Sequence, residues 1–124
     1  MIMAKILIAE DDPDIRELIM LTLQFNGFSV HSVEDGAAAV EHASENPNYD
    51  LILMDVRMPR MTGYQACAAL KSNDTTKGIP VIFLSAKGQE SEIETGLSAG
   101  AADYVLKPFA PDELINKINK VLAS

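Results

Sequence analysis

The chain is short of basic residues. Ten Lys and Arg stand against 18 Asp and Glu, a formal net charge of −8. Such a surface repels phosphate backbones, which argues against direct nucleic-acid binding and leaves binding through an attached or partner domain open. Cysteine is nearly absent. Cys67 stands alone, so no internal disulfide forms, in keeping with a reducing cytoplasm. No apolar run is long enough to span a bilayer, and no membrane role is expected. The N-terminus lacks a basic region followed by a long apolar run, so no signal peptide is expected. What is present is 124 residues with 48% hydrophobic and 23% charged content, the make-up of one folded domain with one core.

Apolar β-type runs alternate with helical patterns from end to end. Residues 5–9 read as a first strand. Pro13 opens a helix that runs to Phe25 and stops at Asn26-Gly27. Residues 28–33 alternate apolar and polar, as a half-exposed strand does. Residues 36–45 form an Ala-rich helix broken by Asn46-Pro47-Asn48. Leu51 to Met54 is apolar on both faces, hence a central strand. Residues 63–71 read as helix, 79–84 as strand, 90–98 as a short helix ended by Gly100, and 103–106 as the fifth strand. A last helix covers 110–122, with Leu114, Ile115, Ile118, Val121 and Leu122 on one stripe. Alternation of this kind implies βαβ units and a parallel sheet covered on both faces. A single domain over 1–124, with no output domain, is expected.

The chemistry is expected where these strands end. Open α/β sheets bind ligands outside the carboxyl ends of their strands. The first strand runs into Glu10-Asp11-Asp12, the third into Asp55, and the fifth into Lys107-Pro108. Adjacent acids repel unless a cation compensates, and hard oxygen ligands suit Mg²⁺. Read blandly, the same acids are a solvated helix N-terminus favoured by the dipole. Asp55 at a buried strand end is a carboxylate able to attack a phosphoryl group and form an acyl phosphate. Lys107, held extended by Pro108, is either a plain ion-pair partner or a neutraliser of transferring phosphoryl charge. Ser85 follows the fourth strand and offers a hydroxyl, although Ser after a strand is ordinary turn chemistry. Tyr104 reads equally well as core. Cys67, set among alanines, reads as packing, as do Met54, Met58 and Met61. His31 and His42 lack ligand-spaced neighbours, so no zinc site is expected.

Taken together, Glu10-Asp11, Asp55, Pro59 and Gly63, Ser85, and Lys107-Pro108-Phe109 resemble the receiver domain of bacterial two-component response regulators. The resemblance covers essentially the whole chain. It implies a flavodoxin-like, doubly wound α/β fold: a five-stranded parallel sheet of order 2-1-3-4-5 with five helices. It assigns Asp55 as phospho-acceptor, Asp11 as direct Mg²⁺ ligand and Glu10 as the acid reaching the metal through water. Asp12 falls outside the pair. The backbone carbonyl of Arg57 becomes a further metal ligand, Ser85 and Tyr104 the switch pair, and Lys107 the partner of the acceptor and then of the phosphoryl group. Glu10 stands where Asp is commoner and Ser85 where Thr is commoner; neither change removes a group the chemistry needs.

The function implied is transfer of a phosphoryl group from a sensor histidine kinase or phosphotransfer protein to Asp55 with Mg²⁺, in the cytoplasm. A surface built from the fourth and fifth helices and the fifth strand then switches toward a downstream protein target. Small Ala86 leaves the product open to water, and Arg57 and Lys87 border the site. The domain acts on itself and is not a turnover enzyme. A flavin carrier of the same fold is disfavoured, because Glu10-Asp11-Asp12 would repel the flavin phosphate. An aspartyl-phosphate hydrolase is disfavoured because Arg57 stands where such enzymes place a second Asp. A phosphorylation-independent interaction module is the remaining alternative. The family's dimerising class carries two acids before the Tyr of the fifth strand. Here Ala102 replaces the first, and Lys117 and Lys120 stand where Arg is favoured, so a monomer is expected, with dimerisation on activation as the alternative.

Overall fold

The computed structural model describes residues 3–86 and 93–123. Strands and helices alternate in it as β1 Lys5–Ala9, α1 Pro13–Phe25, β2 Ser29–Val33, α2 Gly36–Glu45, β3 Leu51–Asp55, α3 Gly63–Lys71, β4 Val81–Ala86, α4 Ile93–Ser98, β5 Asp103–Lys107 and α5 Pro111–Leu122. The five strands form one parallel sheet in the order β2-β1-β3-β4-β5. The fold is the doubly wound one expected, with β3 at its centre and buried throughout. β2, on an open edge, is only partly covered.

Each strand sends alternate side chains to opposite faces. Leu7, Ala9, Ile52, Met54, Val81 and Phe83 meet α2 and α3 in one cluster. Ile6, Ile8, Leu51, Leu53, Ile82, Leu84 and Val105 meet α1 and α5 in the other. Leu114 and Ile118 are the fully buried residues of the α5 stripe. Cys67 is buried and its Sγ points at Ala99 O (3.5 Å), in keeping with packing. No helix among the described residues is long and apolar enough to cross a membrane.

Several boundaries move, each for a local reason. β4 was expected over 79–84 and spans Val81–Ala86 instead. Pro80 has no N–H to give a ladder, and the Ile79 N–H is taken by Thr76 O (3.0 Å). At the other end, pairing of Ser85 with Leu106 and of Ala86 with Lys107 carries the strand further. Ser85 is therefore inside β4, not after it. β3 and β5 likewise run one residue past the expected ends, so that Asp55 and Lys107 are their last residues. Phe28 stays outside β2 because its N–H closes α1 on Leu23 O (3.0 Å). α5 begins at Pro111, with Ala110 at the cap position. The expected helix at 90–98 is present over Ile93–Ser98; 90–92 and Lys87 lie outside the described residues.

The loop from β3 into α3 returns tightly enough that α3 starts against the end of β3. A Cβ on Gly63 would overlap the backbone carbonyl oxygen of Asp55. Gly63→Ala therefore forces backbone apart beside Asp55. A destabilisation of about 2–4 kcal/mol is expected in urea unfolding. A loss below ~0.5 kcal/mol would mean that the loop relaxes freely.

Candidate functional site

Glu10 directly follows β1 and is fully buried. Its N–H donates to Val33 O at the end of β2 (3.2 Å), and its carbonyl accepts from Arg16 Nη1 (2.8 Å) in α1. Asp11 is exposed, and its N–H donates to Glu10 Oε2 (3.1 Å). Asp12 belongs to the helix: its Oδ1 accepts from the N–H groups of Asp14 (2.9 Å) and Ile15 (3.3 Å) and caps α1. The acidic run thus divides. Asp12 is a helix cap, and Glu10 and Asp11 face the sheet end.

Asp55, also buried, takes a hydrogen bond on Oδ1 from the Val56 N–H (3.0 Å). One carboxylate oxygen from each of Glu10, Asp11 and Asp55 lies within 4.8 Å of the others. Lys107 reaches across from β5. Its Nζ is 2.9 Å from Glu10 Oε1 and 3.1 Å from Asp55 Oδ1. Beside Asp55 lies a cavity of 130 Å³ lined by Asp55, Val56, Arg57, Leu84, Ala86 and Lys107.

The electrostatics follow from burial. Loss of hydration, then the hydrogen bond with Asp55, pushes the Glu10 carboxyl up to about 7; Lys107 acts the other way and does not win. For Lys107, burial works against its charge, but Glu10 and Asp55 outweigh it and hold the ammonium above its ordinary range. The cation stays charged at neutral pH while one of its two partners titrates there.

Of the expected residues, Glu10, Asp11, Asp55 and Lys107 come together, and Arg57 lines the cavity. Ser85 is buried between Leu84 and Ala86, which both line it. Tyr104 stands apart, half-buried against the core beyond Phe83. Its ring lies 4.6 Å from Lys117 Nζ, which also donates to Tyr104 O (2.8 Å) and pairs with Asp103 Oδ1 (3.3 Å). Sequence reasoning missed Arg16 and the Val56 amide; neither carries a local signal. His31 and His42, far apart in sequence, stack with ring centroids 4.2 Å apart, and His42 Nε2 meets Tyr49 Oη at 2.7 Å.

The family described as response regulator receiver domain matches residues 6–119, and the chain belongs to it. It is 42% identical over 118 residues to the phosphate regulon transcriptional regulatory protein PhoB of Escherichia coli (strain K12), covering 95% of this chain and 51% of that protein. It is 39% identical over 118 residues to the response regulator MprA of Mycobacterium sp. (strain KMS), covering 95% of this chain and 50% of that protein. The chain thus spans about half the length of these curated relatives. Among solved structures, the receiver domain of the sensor histidine kinase PA1611 from Pseudomonas aeruginosa PAO1, with a magnesium ion in its active-site cleft, superposes with a TM-score of 0.90 at 35% identity, over 99% of this chain and 100% of that one. The chemotaxis protein CheY4 of Vibrio cholerae gives a TM-score of 0.89 at 32% identity, over 97% of this chain and 99% of that one. This chain is a receiver domain of the two-component kind, and Glu10, Asp11 and Asp55 cluster at the phosphorylation and Mg²⁺ site of such domains.

Burial of Glu10 makes stability depend on pH in a definite direction. Its folded pKa, about 7, lies above the ordinary value of 4.5, so the native state holds more protons between the two. The stabilisation is complete below 4.5 and lost as pH rises through about 7. Glu10→Gln removes the titration. In metal-free buffer the wild type should lose stability relative to Glu10→Gln between pH 5 and pH 8, read from melting temperatures. A constant difference between the two over that range would contradict the burial argument.

Proposed function

We propose that Asp55 accepts a phosphoryl group from a phosphohistidine on a sensor kinase or phosphotransfer protein. The carrying observation is the single ammonium of Lys107 shared between Glu10 and Asp55 beside a cavity at the end of the central strand. An Asp55 oxygen attacks phosphorus, the P–N bond breaks, and its electron pair returns to the imidazole. The gain is an acyl phosphate; no proton need leave Asp55. Lys107 offsets charge on the transferring oxygens, and the Val56 amide, already on Asp55 Oδ1, orients the carboxylate.

The carboxylates of Glu10, Asp11 and Asp55 form a hard oxygen set suited to Mg²⁺. We assign Asp11 and Asp55 as direct ligands, Glu10 as a ligand through water, and the Arg57 backbone carbonyl as a further one. Bound there, the ion supplies positive charge to the phosphoryl oxygens. The chain's part is to position and to neutralise. It promotes its own modification and turns over no external substrate.

In this reading Ser85 donates to a phosphoryl oxygen, and Tyr104 moves toward the space that Ser85 leaves. The affected surface is α4, β5 and α5, which a downstream protein reads. Lys117 is engaged within the chain by Asp103 and Tyr104, which favours a monomer over a dimer paired through that lysine. The net charge of −8 favours a protein as the direct partner of this unit, not nucleic acid. A cytoplasmic setting accompanies a kinase partner.

Two outcomes are expected. Beryllofluoride with Mg²⁺ binds the wild type, and Asp55→Asn loses both that binding and labelling by acetyl phosphate; labelling of the variant at the wild-type rate would remove Asp55 from the mechanism. Mg²⁺ binding should also release a proton, because Glu10 must ionise beside the ion. Calorimetric affinity should weaken about tenfold per unit below pH 7 and level off above it. A flat affinity from pH 6 to pH 8 would place the ion away from Glu10.

A further inference from the structure

The loop between β3 and α3 is pinned from outside the acidic cluster. Arg60 sits in it with φ +65°, a conformation that side chains other than glycine seldom adopt. The Met61 N–H donates to Pro59 O (2.7 Å), closing a three-residue turn around Arg60. The guanidinium then grips Asp35 with both edges of its fork: Nε to Oδ2 at 2.8 Å and Nη2 to Oδ1 at 2.9 Å. Asp35 is itself fixed. Its Oδ1 accepts the Ala38 N–H (2.8 Å) and caps α2. Its side chain is 10% exposed, against 62% for Arg60. Arg60 holds the Asp35 carboxyl below its ordinary range despite burial. Next to it, a Cβ on Gly36 would overlap the Met61 carbonyl oxygen, so the loop backbone rests directly on the first turn of α2.

The other end of this loop touches Asp55. Val56 shares its N–H between Asp55 Oδ1 (3.0 Å) and Leu84 O of β4 (3.3 Å), its carbonyl accepts the Gly63 N–H (2.8 Å), and Val56 and Met58 are buried. Arg57 lies between them. A free loop of this length would sample many placements of the Arg57 carbonyl. Here it is held at Asp55, in the core, and at α2.

We propose that Asp35 and Arg60 are a positioning pair for the acidic site, presetting the loop that carries the Arg57 carbonyl. The inference rests on the reading that Mg²⁺ binds at Glu10, Asp11 and Asp55. Neither residue of the pair touches the reacting atoms. With Arg60 itself largely exposed, the ion pair alone contributes little to stability; it acts by removing freedom from a segment whose backbone is needed at the site.

The sign of the effect separates positioning from charge. Arg60 is a cation, so any direct charge effect on bound Mg²⁺ is repulsive and deleting it would tighten Mg²⁺ binding. Loss of the clamp predicts the opposite. Calorimetric Mg²⁺ titration of the wild type, Arg60→Gly, Asp35→Asn and the double variant decides between them. Glycine accepts φ +65° without strain, and Asn can still cap α2, so both changes break the forked pair without a new clash; the backbone freedom that glycine adds is controlled by Arg60→Lys, which keeps a side chain there. Arg60→Gly and Asp35→Asn should each bind Mg²⁺ roughly tenfold more weakly. The double variant should be no weaker than the worse single one, because both break the same contact. Arg60→Lys keeps the charge without the fork and should also weaken. Wild-type or tighter affinity in Arg60→Gly or in Arg60→Lys, or multiplied losses in the double variant, would overturn the proposal. If the wild type shows no Mg²⁺ binding sensitive to Asp11→Ala, the reading of the site itself falls and the positioning role with it.

Discussion

One ammonium between two buried carboxylates organises this site. Lys107 Nζ lies 2.9 Å from Glu10 and 3.1 Å from Asp55 and so ties together the ends of β1, β3 and β5. Buried carboxylates are costly unless paired, and two of them side by side are costlier still. The cation offsets part of that cost, and protonation of Glu10 relieves more of it. A second cation brought to Glu10, Asp11 and Asp55 would satisfy the same imbalance. The chain keeps an incompletely compensated acidic site in its fold, which on the proposed reading is what draws Mg²⁺ there.

The helices were largely legible. α1, α2 and α3 begin and end where Pro13 with Asn26-Gly27, Gly36 with Asn46, and Gly63 with the close of the apolar pattern place them. Those signals are local, because caps and breakers act within a turn. Strand ends were less legible. β4 reaches Ala86 because β5 lies alongside it, and nothing in the residues near Ser85 states that pairing. The residues alone did not divide Glu10-Asp11-Asp12 into site and cap, since all three acids suit both roles until the α1 N–H groups are placed; only the family resemblance set Asp12 outside the pair.

Within the site, the acids and the lysine could be found because each ends a strand of the same sheet. Their supports could not. Arg16 reaches the Glu10 carbonyl from α1, and Arg60 reaches Asp35 from a loop 25 residues away. The cation at Tyr104 belongs to this group. Lys117, from α5, holds the ring, the carbonyl and the neighbouring Asp103 together. In the proposed switch, an inward movement of Tyr104 would give up this ring contact, which would place part of the resistance on α5 and not at Asp55.

The central claim is that the chemistry takes place on one carboxylate. After treatment with acetyl phosphate and Mg²⁺, borohydride reduces an acyl phosphate to the alcohol and leaves homoserine in place of aspartate. Peptide mapping by mass spectrometry should find that conversion at position 55, and it should require Mg²⁺. Homoserine at position 11 or 12, or none anywhere in a protein that has taken up label, would contradict the account.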